Sequence, residues 1–505
     1  MREAKESAPG AYQTALVNLD KVQQLQSELD PGIEGGTIYP PHVAKIYSPP
    51  RISEDCLYLE IWAPRPNPAR KKAVYFYVHG GANWNNAASF PPERGENLAR
   101  EEDIIVVRPN NRLGALGWVH FGLVSDALPD AINLGLQDQI AALKWVHANI
   151  EAFGGDPDNI TVGGESCGAT AVSHFLTNPD VHPYFRRAII QSLSPFNTWC
   201  TQERQEAETV AQMYLDLLGI EDAAELMHVD PDRLCAVANL LMNYFPSDAN
   251  HAWRPQGGVI DGKWIPRHPA IHLATDDLPV RNIEVMFGYA KDEWQAFRGL
   301  TPTIQNGTTD DVLAVLRPVY GDRAEAVFEA HRGLYPDRAA GHVLSDLMAF
   351  EFFKYSTIEI CRNLTRQGIK TYLFEYSFDQ PGLGGIMRAV HTGDMPFIWR
   401  SYGEGDLPMW PALQGADHNE VHYTARAFGA LYGNFIRSGY PGPAWRPFGE
   451  EDATLLMGKV VETVPNRLAA ERRNFEEIGG IVGVAELERI LLANLRNNLA
   501  NHPAR

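Results

Sequence analysis

The amino-acid sequence predicts an α/β fold in which a mostly parallel central sheet is flanked by helices. Residues 73–78 (AVYFYV) and 104–107 (IIVV) are nearly continuous apolar runs of strand length, which is typical of strands covered on both faces. Residues 136–153 then place apolar side chains at helical spacing, and Gly154 ends this predicted helix. A β-branched run, residues 160–162, follows directly, so strand and helix alternate as they do in parallel sheets.

The composition is that of a globular protein and argues against nucleic acid as a partner. Of the 505 residues, 45% are hydrophobic and 21% are charged. The 63 acidic and 44 basic residues give a net charge of −19, which is the wrong sign for binding phosphates. Because no apolar run approaches the length of a membrane span, a membrane is not an expected partner either. The sequence does not indicate an oligomeric state.

The cysteines and the start of the chain favour a reducing, cytoplasmic location. The five cysteines show no C-x-x-C spacing, which predicts neither a disulfide framework nor a zinc site. The first stretch (MREAKESAPGAYQTALVNLD) lacks the apolar segment of a signal peptide. Residues 418–422 (HNEVH) place two histidines at helical spacing but lack the glutamate that metalloproteases carry directly after the first histidine. No metal and no cofactor is therefore expected.

We expect an atypical N-terminal segment, residues 1–52, followed by one domain that spans residues 53–505. From Tyr12 to Leu29 apolar residues recur at a near-helical period, and a Pro- and Gly-rich connector continues to Ile52. The polar face of this predicted helix carries mixed charges, which favours packing on the body of the protein over membrane binding. Helix-like segments near residues 201–250 and 309–367 predict helical insertions into the α/β body.

The motif with the most chemical content is a G-x-S-x-G at residues 164–168 (GESCG). It lies between the predicted strand at 160–162 and a run of small and apolar residues that predicts a helix. On such a strand–turn–helix the serine hydroxyl projects above the sheet, and glycines avoid collisions with the neighbouring strand and helix. The N–H group of Cys167 would then face an oxygen bound over Ser166. The alternative for this stretch alone is a glycine-rich loop with a solvent-facing serine.

Candidates for the partners of Ser166 occur elsewhere in the chain. A serine hydroxyl is a weak nucleophile unless a base takes its proton and a carboxylate orients that base. Residues 79–82 (HGGA) follow a predicted strand and are small enough for backbone N–H groups to face an oxyanion. Residues 291–293 (KDE) follow another predicted strand, and His391 lies further along the chain. The order serine, acid, histidine is that of α/β-hydrolases.

These motifs belong to a longer set that resembles the type B carboxylesterase family, which includes the cholinesterases and bacterial para-nitrobenzyl esterases. The set also contains residues 53–59 (SEDCLYL), 111–114 (NRLG), a segment from 133 to 157, 188–192 (AIIQS), 259–262 (VIDG) and 434–435 (NF). The resemblance extends over residues 53–447. It implies an α/β-hydrolase fold with helical insertions over the active site, and a serine hydrolase that cleaves small-molecule carboxylic esters through an acyl-enzyme.

Transferred position by position, the resemblance implies that Ser166 is the nucleophile, Glu293 the acid and His391 the base. The adjacent Asp292 competes with Glu293, and the family pattern favours Glu293. The backbone N–H donors implied for the oxyanion hole belong to Gly81, Ala82 and Cys167.

Further residues are candidates for supporting this site. Glu165 is either an acid that influences His391 or a buried partner of a backbone group or a water molecule. Ser192 is a candidate for a hydrogen bond that supports the triad. Four aromatic residues are candidates for lining the acyl or alcohol pocket, with ordinary core packing as the alternative for each: Trp84, Trp199, Phe397 and Trp399.

Several positions depart from the pattern that the chain resembles. Leu193, Trp294 and Thr392 stand where relatives often have glycine, and the predicted N-terminal helix replaces the usual N-terminal strands. The departures leave the acyl and alcohol groups of the substrate open. They also keep two alternatives: a triad redirected to acyl transfer, lactone or elimination chemistry on a specialised metabolite, and a non-catalytic interaction protein. The intact Ser166, Glu293 and His391 argue against the second.

Overall fold

The computed structural model describes residues 8–14, 18–29, 49, 51–65, 70–193, 201–244, 256–279, 282–297, 303–403 and 410–477. Trp199 and most of the predicted N-terminal connector lie outside these residues.

The strands, in chain order, are β1 (Leu59–Trp62), β2 (Lys72–Val78), β3 (Ile105–Pro109), β4 (Gly155–Glu165), β5 (Arg187–Gln191), β6 (Thr201–Gln202), β7 (Gly258–Val259), β8 (Glu284–Ala290), β9 (Lys370–Tyr376), β10 (Thr454–Met457) and β11 (Val461–Val464).

The α-helices are α1 (Leu19–Leu29), α2 (Glu96–Glu102), α3 (Gly114–Trp118), α4 (Leu134–Asn149), α5 (Cys167–Thr177), α6 (Arg204–Leu218), α7 (Pro231–Tyr244), α8 (Pro269–Thr275), α9 (Thr303–Asn306), α10 (Thr309–Tyr320), α11 (Ala324–Leu334), α12 (Ala340–Ala349), α13 (Ser356–Arg366), α14 (Met395–Trp399), α15 (His418–Ser438) and α16 (Ala469–Glu477). A π-helix, Phe350–Tyr355, joins α12 to α13.

Nine strands form the main sheet in the order β1-β3-β2-β4-β5-β8-β9-β10-β11. The pairs from β3 to β10 are parallel, whereas β1 and β11 are antiparallel at the two edges. The predicted mostly parallel α/β sheet is therefore confirmed. Strands β6 and β7 form a separate two-stranded sheet.

Strand β2 shows why these sequences form interior strands. All its residues are buried, with Val74 and Phe76 in one apolar cluster and Tyr75 and Tyr77 in another. Since successive side chains of a strand point to opposite faces, the two clusters lie on the two sides of the sheet. Residues of α4 and α5 cover the first face, and residues of α2 and α15 cover the second. The continuous apolar run in the sequence reflects this double coverage.

The N-terminal helix is shorter than predicted. It begins at Leu19, not at Tyr12, because the chain before it is held by tertiary contacts: Gly10 donates to the carbonyl of Arg51, and the Gln13 side chain bonds to the backbone of Asn86. The helix packs on α7, with the buried Val22 on its inner side. No helix among the described residues is long and apolar enough to cross a membrane.

The predicted helical segments are present in the described parts of the chain. Helices α6 and α7 lie within residues 201–250, and α10 to α13 lie within residues 309–367. The π-helix between α12 and α13 places Phe353 beside His391 (ring centroids 5.4 Å apart). π-Helical turns are rare and are often found at functional sites.

Candidate active site

The loops that follow β2, β4, β5, β8 and β9 carry the candidate residues. These strands are neighbours in the sheet and run parallel, so their carboxyl ends lie along one edge. Ligand sites of open α/β sheets occur at this edge. The topology thus collects residues from distant parts of the sequence at one place.

Ser166 occupies a strained turn between β4 and α5. Its backbone has φ 57° and ψ −124°, and its N–H group donates to the carbonyl of Gln191 at 3.0 Å. The flanking glycines are required by space: a Cβ atom on Gly164 would lie 2.3 Å from the carbonyl oxygen of Gly168, and one on Gly168 would lie 2.2 Å from that of Val78. The predicted strand–turn–helix setting of the G-x-S-x-G motif is confirmed, and such strain is typical of functional positions.

The HGGA loop, residues 79–86, lies against this turn. A Cβ atom on Gly80 would be 3.4 Å from the Cβ atom of Ser166. Gly81 (φ 106°) and Ala82 (φ 55°) have left-handed backbones. Within the described residues, no acceptor bonds to the N–H group of either one. The structure therefore brings these two N–H groups to the same turn as Cys167, the first residue of α5.

His391 and Glu293 form a buried pair. The Nδ1 atom of His391 lies 2.6 Å from Oε2 of Glu293, whose side chain is fully buried. The other oxygen of Glu293 accepts the N–H group of Ala290 at 2.7 Å, which fixes the carboxylate. Imidazole on a buried, oriented carboxylate is the arrangement that sets the tautomer of a general base.

Asp292, the competing carboxylate, has other partners. Its oxygens lie 3.7 Å from the charged ends of Lys291 and Arg388, and its backbone N–H group donates to the carbonyl of Ala389. No hydrogen bond described for this part of the chain joins it to His391. The geometry thus pairs His391 with Glu293.

Glu165 faces the opposite nitrogen of the same imidazole. Its Oε1 atom lies 3.1 Å from Nε2 of His391. Burial raises the pKa of Glu165, although the neighbouring His391 opposes this effect. Burial alone would lower the pKa of His391, but the charges of Glu165 and Glu293 outweigh it, so the pKa is raised. Glu165 directly precedes Ser166 in the chain.

Asp394, a further buried acid near His391, was not among the site residues predicted from the sequence. One of its carboxylate oxygens accepts the side-chain amide of Gln191 at 2.8 Å, and Gln191 in turn accepts the hydroxyl of Tyr432 at 2.8 Å. Burial raises the pKa of Asp394 to about 7. The only feature of the sequence that pointed to Asp394 was its position three residues after His391.

Ser192 lies directly after β5, but no hydrogen bond among the described residues joins its hydroxyl to His391 or Glu293.

Aromatic rings surround His391. The centroids of Phe297 and Phe353 lie 5.2 Å and 5.4 Å from that of the imidazole. The indole of Trp294 is buried and stacks on Phe352 of the π-helix at 5.0 Å. The large residue that follows Glu293 is therefore accommodated in the core of the helical insertion.

Two of the four aromatic residues named as candidates for a pocket or for core packing are buried in the core. Phe397 and Trp399 have no exposed surface, and their rings pack against Tyr376 (5.7 Å) and Tyr77 (4.8 Å), respectively. Both lie on the short helix α14, whose five residues are all buried, so neither ring is left to line a pocket. Trp84 lies in the HGGA loop and packs with apolar residues of α6 and α7.

No metal centre is found in the part of the chain that the structure describes: no three His, Cys, Asp or Glu residues there are placed to hold an ion together. The ring centroids of His418 and His422 are 6.4 Å apart, and Nδ1 of His422 lies 3.1 Å from the hydroxyl of Tyr402.

Comparison with known proteins gives consistent results. Residues 1–476 match the model of the carboxylesterase family. Para-nitrobenzyl esterase of Bacillus subtilis is 29% identical over 441 residues, which are 84% of this chain and 83% of that protein. Phenmedipham hydrolase of Pseudarthrobacter oxydans is 29% identical over 419 residues, 81% of this chain and 79% of that protein. The crystal structure of a carboxylesterase from Geobacillus stearothermophilus matches with a TM-score of 0.73 and 28% identity, and the match covers 84% of this chain and 86% of that one.

These findings favour ester hydrolysis over the two alternatives, which are a triad redirected to other chemistry and a non-catalytic interaction protein. The family match spans nearly the whole chain, and both the sequence relatives and the structural relative are named as esterases or hydrolases. The chain therefore belongs to the carboxylesterase family and is a carboxylic ester hydrolase with an α/β-hydrolase fold.

Proposed function

We propose that Ser166 is the nucleophile, His391 the general base and Glu293 the orienting acid of this esterase, and that the substrate is a small-molecule ester. The observation that supports this assignment best is the position of the imidazole. Its Nδ1 atom lies 2.6 Å from Oε2 of the buried Glu293, and its Nε2 atom lies 3.1 Å from the side chain of Glu165, the residue that precedes Ser166 in the chain.

In this mechanism Nε2 of His391 takes the hydroxyl proton of Ser166 while the serine oxygen attacks the ester carbonyl. The imidazolium that forms is stabilised by Glu293. The carbonyl oxygen becomes an oxyanion, which accepts hydrogen bonds from the N–H groups of Gly81, Ala82 and Cys167. His391 then gives the proton to the leaving alcohol. Water, deprotonated by the same nitrogen, cleaves the acyl-enzyme and restores Ser166.

The surroundings of His391 favour esters with an apolar group next to the carbonyl. Phe297 is half-buried and lies beside the imidazole, so its ring offers apolar surface close to the reacting atoms. Two relatives are named for para-nitrobenzyl esters and for phenmedipham. A suitable first substrate panel contains para-nitrobenzyl esters, phenmedipham and para-nitrophenyl esters of increasing acyl length.

The test compares the wild-type protein with Ser166→Ala on this panel and with a fluorophosphonate probe, which reacts covalently with activated serines. Ser27→Ala, on the exposed surface of α1, serves as the control. We expect wild type and Ser27→Ala to turn over esters and to bind one equivalent of probe, and Ser166→Ala to do neither. Labelling or turnover that persists in Ser166→Ala would refute the assignment of the nucleophile.

A further inference from the structure

The HGGA loop has a costly conformation that neighbouring groups must hold in place. Gly81, Ala82 and Asn83 are consecutive residues with φ of 106°, 55° and 59°, and Asn86 has φ 87°. For residues other than glycine the left-handed region costs about 1–2 kcal/mol per residue. Such backbones persist only where surrounding contacts fix them. Contacts from neighbouring side chains therefore fix this loop.

One restraint acts from the inside of the protein, through the side chain of Cys167. The backbone N–H group of Asn83 donates to its Sγ atom at 3.2 Å. The same sulfur lies 3.9 Å from the carbonyl oxygen of His79, to which the thiol donates. Cys167 thus connects His79, at the start of the loop, to Asn83, which follows Gly81 and Ala82.

A second restraint comes from the side chain of Gln13 in the N-terminal segment. Its side-chain amide donates to the carbonyl of Asn86 at 3.1 Å, and its side-chain oxygen accepts the N–H group of Asn86 at 3.0 Å. Gln13 is buried, so water does not compete for these bonds. The neighbouring Asn85 donates to the carbonyl of Gly81 at 3.1 Å, which passes the restraint on to the oxyanion donors.

We propose that Cys167 and Gln13 are positioning residues of the oxyanion hole: their side chains hold the HGGA loop at both ends and so fix the N–H groups of Gly81 and Ala82 relative to Ser166. The proposal rests on the proposed function, in which these groups bind the oxyanion. It gives the N-terminal segment a part in positioning the oxyanion donors.

Loosening the loop affects the transition state more than substrate binding. The oxyanion exists only after attack by the serine, so misplaced donors lower kcat and leave KM nearly unchanged. A trifluoromethyl ketone forms a comparable oxyanion when a serine adds to its carbonyl, and its affinity therefore reports on the same donors. A residue with a purely structural role would change thermal stability without changing either quantity.

The experiment uses the full-length protein with Cys167→Ala, Cys167→Ser and Gln13→Met. The matched controls are Cys361→Ala, a buried core thiol away from the loop, and Gln24→Met, on the exposed side of α1. We expect Cys167→Ala and Gln13→Met to lower kcat about tenfold and to weaken trifluoromethyl ketone binding by a similar factor, which is less than the loss from deleting a donor. KM should change less than about twofold. Cys167→Ser, which keeps a donor and an acceptor, should be intermediate.

Unchanged kcat and unchanged inhibitor affinity in folded Cys167→Ala and Gln13→Met would overturn the proposal. If Cys167→Ala does not fold, Cys167→Ser and Gln13→Met decide the question by the same two measurements. Failure of the proposed function is recognised separately, because the wild-type protein would then not react with the fluorophosphonate probe. Labelled wild type with unaffected variants refutes only the two positioning residues.

Discussion

The Nε2 atom of His391 lies 3.1 Å from Oε1 of Glu165, the residue that precedes Ser166. The nitrogen assigned to take the serine proton thus has a carboxylate as its neighbour in the free protein. Such a contact stabilises the imidazolium form and, together with Glu293, raises the pKa of His391 against the opposing effect of burial. Since only the neutral imidazole acts as a base, we expect the contact to lower the activity at acidic pH.

The first prediction concerns the pH dependence of Glu165→Gln. The substitution keeps the shape of the side chain and removes the negative charge, so the pKa of His391 falls. The acidic limb of kcat/KM against pH, which reports the base in the free enzyme, should move to lower pH by about one unit. The measurement is a pH–rate profile with a neutral ester. Glu28→Gln, on the exposed surface of α1, should leave the profile unchanged. A limb that stays in place or moves upward in Glu165→Gln would contradict the role given to this contact.

The second prediction separates the two adjacent acids. Glu293→Gln leaves Nδ1 of His391 without its carboxylate and should lower kcat by about a thousandfold or more. Asp292→Asn alters a residue bound to Lys291 and Arg388, and its kcat should stay within about tenfold of wild type. The measurement is the steady-state kcat of both variants and of wild type with one ester. The opposite ranking of the two variants would assign the acid to Asp292.

The architecture of the sheet was predictable because its interior strands are covered on both faces. Such strands appear in the sequence as continuous apolar runs, as residues 73–78 do. The start of α1 was predicted wrongly, since apolar periodicity continues back to Tyr12 while Gln13 is held by a distant loop. Periodicity reports what one segment prefers by itself, and it contains no information about partners far away in the chain.

The candidate site, like the fold, could be predicted from the sequence only in part. The G-x-S-x-G motif and the order of Ser166, Glu293 and His391 are visible in the sequence because each follows a strand of one parallel sheet. The sequence left open whether Phe397 and Trp399 line a pocket or pack in the core, because two aromatic residues near His391 do not reveal which way a short helix turns them. The contacts of Cys167 with the HGGA loop could not be predicted either, because they depend on the left-handed backbone of Asn83.

The third prediction concerns Thr392, which follows His391 and has φ 65°. A β-branched residue is disfavoured in the left-handed region, whereas glycine adopts it without steric cost. Thr392→Gly should therefore increase the free energy of unfolding by about 1 kcal/mol. The measurement is a comparison of thermal unfolding midpoints. The matched control is Thr209→Gly at a half-buried position inside α6, which should be destabilising because glycine weakens helix interiors. A lower midpoint for Thr392→Gly would show that the threonine side chain contributes more than its backbone strain costs.

The fourth prediction concerns the space around the elbow. In Gly168→Ala the new methyl group would lie 2.2 Å from the carbonyl oxygen of Val78 and 2.9 Å from that of His79. Both obstacles are backbone atoms of β2 and the HGGA loop, so they cannot rotate away as a side chain would. The variant should be strongly destabilised, with low soluble yield, a lower unfolding midpoint and loss of esterase activity. Gly333→Ala provides the contrast: it lies near the end of α11 with open space around it and should be neutral or stabilising by up to about 1 kcal/mol. If Gly168→Ala were as stable and active as wild type, α5 would have to lie further from β2 than described, and the assigned position of the Ser166 turn would be wrong.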